Sequence, residues 1–95
     1  MRIERDVIRG VHRPASDVRI EGLVTESLVV ISGVSVELHG RIQRDAIVYA
    51  DGRLTIAQGG VVLGDVHNFG GKVEIVGCVQ GRVYGVGQTT GSWRA

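Results

Sequence analysis

Cysteine, proline and lysine each occur once in the 95 residues, and aromatics make up only 4% of them. A lone cysteine, Cys78, excludes an internal disulfide and suits a reducing compartment. Set among apolar neighbours, it reads as a small buried hydrophobe. With Pro14 the only proline, the backbone can donate to a hydrogen-bond ladder almost everywhere else. Scarce aromatics exclude a core built on large rings and a stacking platform for bases. Charge of one sign is lacking too. The 11 basic and 10 acidic residues are interleaved, which argues against nucleic acid as a partner. No apolar run approaches the ~20 residues of a membrane span. The first residues, Met1 to Asp6, carry charges where a signal peptide needs an apolar stretch. These features predict a cytoplasmic protein that inserts in no membrane.

What the chain does have is branched aliphatics and glycine: 17 Val, 8 Ile, 5 Leu and 15 Gly. Val and Ile favour a pleated sheet, because a helix restricts their rotamers. Val18, Val24, Val30, Val36, Ile42, Val48 and Leu54 recur at intervals of six. Aliphatic-flanked glycines stand at Gly22, Gly40, Gly64 and Gly81, at spacings of 18, 24 and 17. Three sides of about six residues account for the shorter spacings, and one additional side for the longer. The pattern predicts an all-β, single-domain fold: a triangular parallel β-helix of about three to four coils. Its expected interior is Val18, Val24, Val30, Val36, Ile42, Val48, Leu54 and Val66, with Ile20, Ile31, Ile56, Val62, Ile75, Val79 and Val83.

The organisation expected is an N-terminal arm or cap over 1–17, a solenoid body over 18–83 and a glycine-rich tail over 84–95. In the arm, Arg2, Arg5, Arg9 and Arg13 recur at helical spacing, as do Ile3, Val7 and Val11. Gly10 and the β-branched residues weaken a helix, so helix and strand both stay open. Ile3, Val7 and Val11 are the expected contacts of the arm with the first coil. In the tail, Trp93 reads as an anchor folding back on the last coil.

No catalytic, cofactor-binding or metal-binding residues are assigned. His39, Asp45, Asp51, Asp65 and His67 are too scattered to form a ligand-spacing motif. No glycine segment matches a phosphate loop, and no nucleophile–histidine signature is present.

Two segments, Leu54 to Val66 and Val73 to Val83, resemble the repeats of bactofilins, polymer-forming cytoskeletal proteins of bacteria. Val29 to Ile42 is a looser copy, and Val18 to Val24 a fragment of another. The resemblance implies a right-handed triangular β-helix that stacks end to end into filaments without nucleotide, and it brings no catalytic residues. The proline-rich basic tails of many members are missing.

Self-association as a structural or scaffold protein, a homo-oligomer or polymer without cofactor, is therefore the expected function. A terminal coil exposes unpaired backbone and aliphatic side chains. The expected contacts are Ile20, Leu23 and Val24 at one end, with Val79, Val83, Tyr84, Val86 and Trp93 at the other. A small binding module, adaptor or inhibitor, docking another protein on a flat β-face is the alternative. A hexapeptide-repeat acyltransferase with a histidine base fits the sixfold frame but needs more coils.

Overall fold

The computed structural model describes residues 2–91, which form strands and turns with no helix. Chain order runs coil by coil. The first coil holds β1 (Arg2–Glu4) and β2 (Val7–Ile8), and an isolated bridge at His12 completes its third side. The second holds β3 (Val18–Ile20), β4 (Leu23–Val24) and β5 (Leu28–Val30), and the third β6 (Ser35–Leu38), β7 (Arg41–Ile42) and β8 (Ala46–Tyr49). The fourth holds β9 (Arg53–Ile56), β10 (Val61–Val62) and β11 (Val66–Phe69). The fifth holds β12 (Lys72–Ile75), β13 (Cys78–Val79) and β14 (Val83–Gly85), after which β15 (Gln88–Gly91) opens a further side.

Like strands stack on like, always parallel. The first sheet runs β1-β3-β6-β9-β12-β15, the second β2-β4-β7-β10-β13 and the third β5-β8-β11-β14. The protein is a parallel β-solenoid of about five turns, not three to four. The two ends account for the difference. Residues 2–12 form a coil of their own, and β14 and β15 continue the stack into the tail.

Register explains the sixfold frame. Val18, Val36 and Leu54 are vertical partners in the first sheet, so a coil there takes 18 residues, six per side. The frame slips where a corner grows. Arg41 pairs with Val61, a 20-residue step, because residues 57–60 make a four-residue corner in place of 39–40. Gly59 takes φ 89° there, and the Gly60 N–H donates to the Ala57 carbonyl. The glycine motifs likewise divide between two corners. Gly22 and Gly40 join the first sheet to the second, whereas Gly64 and Gly81 join the second to the third.

Side chains alternate in and out, and the inward ones form one dry stack. Of the expected interior, all are buried except Ile31 and Val83, which pack against its edge. Leu28, Val34, Leu38, Ala46 and Val73 complete it. Cys78 departs from expectation: it is exposed, since Val79 beside it takes the inward place. One buried residue of the described stack is polar. Asn68 is fully buried, its Nδ2 donating to the Gln88 carbonyl and Thr89 Oγ1 while its Oδ1 accepts from the Gly71 N–H. No helix among the described residues is long and apolar enough to cross a membrane.

Candidate functional site

A solenoid offers its two ends and its lateral faces to other molecules. The first coil determines the N-terminal end. Arg2, Glu4 and Ile8 are register partners of the buried Val18, Ile20 and Val24, and His12 bridges Leu28. Three of these four groups are thus polar, while Pro14, two residues beyond His12, is buried. The three polar groups hold one another: Arg2 donates to Glu4 Oε2 at 2.8 Å, and His12 Nε2 lies 2.6 Å from Glu4 Oε1. Burial alone would push the Glu4 carboxyl up. The hydrogen bonds and charges of Arg2 and His12 outweigh it and hold this group below the ordinary glutamate value.

The expected contact through Ile3, Val7 and Val11 is not what forms. These three are exposed, because two-residue alternation turns Ile3 and Val7 outward when Glu4 and Ile8 turn in. Ile20 and Val24 do not sit at an end either. The first coil covers them completely, and Leu23 lies half-buried on the second sheet between Val7 and Arg41.

At the C-terminal end, β15 has no strand on its far side among the described residues. Over the core lie small groups. Gly85 sits over Asn68, Thr89 over Val73 and Gly91 over Ile75. Val79 is buried and Val83 half-buried, while Tyr84 is about half exposed and Val86 is 91% exposed. Trp93 lies outside the described residues. The predicted contacts at this end therefore fall into two sets, with Tyr84 and Val86 available and Val79 part of the core.

Two lateral faces differ in character. On the outer face of the first sheet runs a ladder of ion pairs, with Arg19 at 3.3 Å from Glu37 and Arg5 at 3.0 Å from Glu21. A hydrogen bond from His39, against some burial and with the Arg19 charge, keeps the Glu37 carboxyl low. The third sheet instead carries rings. Tyr49 stacks on Phe69 at 5.9 Å, and His67 stacks with Tyr84 of the next coil at 5.3 Å and stands 6.2 Å from Phe69 along its own strand. This column is invisible in sequence, since Tyr49 and Phe69 are brought together only by the 20-residue coil.

Glu4 makes the first coil acid-sensitive. Its depressed carboxyl contributes stability that is present above the ordinary glutamate pKa of about 4.3 and lost as pH falls through the lower folded value. Thermal melts should therefore be level from neutrality to about pH 5 and fall below about pH 4. Glu4→Gln should make that acid limb shallower; an unchanged limb would show that other carboxylates account for it.

Comparison with protein-family models, with curated proteins and with solved structures finds no match for this chain. The class its architecture defines is the parallel β-solenoid.

Proposed function

We propose that this protein is a structural or scaffolding component that associates with its own copies through the C-terminal end of the solenoid, without nucleotide or other cofactor. The asymmetry of the two ends carries this reading. At the corner between the first and second sheets, Gly22 and Gly40 have no room for a Cβ, because a carbonyl of the coil beneath fills the space. Asp6 holds the equivalent place in the first coil and carries a side chain there. A further coil docked beneath would meet it, along with the charged Arg2 and Glu4. The N-terminal end is thus blunted as edge strands commonly are.

Among the described residues the other end lacks such devices. Val83 to Gly91 contains no charged residue and no proline, and β15 presents four residues of backbone edge with no partner strand among the described residues. One adhesive end favours a closed dimer, in which identical surfaces meet about a twofold axis. The resemblance to polymer-forming bacterial proteins supports self-association in general, and the blunted end limits it.

Sedimentation velocity over a wide concentration range tests this. A concentration-dependent dimer is expected, together with its loss in Val86→Glu, whose position is too exposed to affect the monomer's fold. A strict monomer at high concentration, or a dimer indifferent to that charge, would overturn it. The second reading, docking of another protein on a lateral face, is favoured by the half-exposed rings of Tyr49, Phe69 and Tyr84. Under that reading the free chain stays monomeric.

A further inference from the structure

Asp45, Asp65 and His67 come together at the corner between the second and third sheets. Asp45 directly precedes β8 and Asp65 directly precedes β11, whose first residues, Ala46 and Val66, are vertical partners. The two carboxylates therefore occupy neighbouring rungs, and His67 follows Asp65 by two residues along the outer face. One ligand atom from each of the three lies within 4.8 Å of the others.

Each aspartate has one oxygen committed to the fold. The Asp65 N–H donates to Asp45 Oδ1, and the Arg82 N–H to Asp65 Oδ1, both at 2.8 Å. These bonds anchor the carboxylates and leave a second oxygen on each. His67 Nε2 stands 3.8 Å from Asp45 Oδ2, too far for a hydrogen bond. Its imidazole stacks with Tyr84 of the next coil and stands beside Phe69 of its own strand. Backbone capping explains why aspartates stand here. The two like charges on adjacent rungs still repel, and an imidazole stands beside them.

We propose that Asp45, Asp65 and His67 form a binding site for a divalent first-row cation such as Zn²⁺. His67 Nε2 and the uncommitted oxygen of each aspartate are the ligands, and solvent completes the shell. Imidazole and carboxylate are the donors such ions take, at about 2.0–2.2 Å. The three side chains are only half-buried, so they can close by the roughly 1 Å that those lengths require. The cation offsets the repulsion between the rungs and ties the third coil to the fourth. This inference is independent of how the solenoid associates.

The test uses the full chain carrying Cys78→Ser, which removes an exposed competing thiol. Zn²⁺ titrated by calorimetry should bind at one equivalent and raise Tm, and Co²⁺ should give a visible d–d spectrum. Asp45→Asn and Asp65→Asn retain an oxygen to accept the backbone N–H, so the fold survives while a ligand charge is lost. Each should weaken Zn²⁺ binding at least about tenfold, as should His67→Ala. Absence of saturable binding by the parent, or binding only at millimolar metal, would overturn the proposal. So would unchanged affinity in the aspartate or the histidine variants, which would place the ion elsewhere.

Discussion

Ile56→Asp should leave no cooperatively folded protein. Ile56 is 0% exposed, with the equally buried Leu38 beneath it and Ile75 above. An aspartate there meets neither water nor a charged partner, at a cost of several kcal/mol. Loss of the buried aliphatic side chain adds about 2–5 kcal/mol. A domain of this size is stabilised by only about 5–15 kcal/mol in total, so the two losses together consume most of it. Circular dichroism should show the strand signal and its melting transition gone. Thr55→Lys, one residue away on the outer face between Glu37 and Glu74, should be tolerated, changing stability by no more than about 1 kcal/mol. If Ile56→Asp melts like the parent, the interior has been assigned to the wrong face of this strand.

That interior was legible from sequence because a closed coil has no choice about it. Between Val18 and Leu54 every inward position faces a coil above and a coil below, so each must be apolar, and six residues per side make the pattern regular. The end coils are under no such demand. Arg2, Glu4 and His12 occupy inward positions, yet only one of their faces meets the core. Gly85, Thr89 and Gly91 do the same at the other end. With polar or small residues there, residues 1–17 read as an arm and 84–95 as a tail, although both contribute strands. A coil count from aliphatic periodicity therefore falls short at both ends of a solenoid.

The candidate surfaces were hidden for a related reason. Strand alternation decides which of two neighbouring aliphatics faces out, and in a two-residue strand it cannot be read from the strand itself. Cys78-Val79 and Val7-Ile8 both look apolar, and the register alone turns Val79 and Ile8 inward. Lateral features need the coil length as well. The rings of Tyr49 and Phe69, and the Asp45–Asp65–His67 group, meet only because 57–60 lengthens one coil to 20 residues. A frame fixed at six per side places those partners two residues out of line.

Gly40→Ala should destabilise the protein far more than Gly33→Ala, although the two glycines look interchangeable in sequence. Gly33 adopts φ 81°, and a Cβ there would meet nothing within 4 Å. Its replacement costs only the left-handed backbone penalty of about 1–2 kcal/mol. Gly40 shows the opposite situation. Its backbone needs no positive φ, but a Cβ would overlap the Gly22 carbonyl oxygen of the coil beneath. Because the obstacle is backbone, no rotamer change relieves it, and the second and third coils must part at this corner. That strains a row of ladder bonds at once: His39 N–H and Gly40 N–H to the Ile20 carbonyl, both at 2.8 Å, and Arg41 N–H to the Gly22 carbonyl at 3.0 Å. Overpacking costs about 1–3 kcal/mol, and each bond lost about 1 kcal/mol more. Urea unfolding should therefore put Gly40→Ala about 2 kcal/mol or more below Gly33→Ala. Equal losses, or the reverse order, would mean that the corner can spread without cost, and the same freedom would remove the objection to a coil docking beneath Asp6.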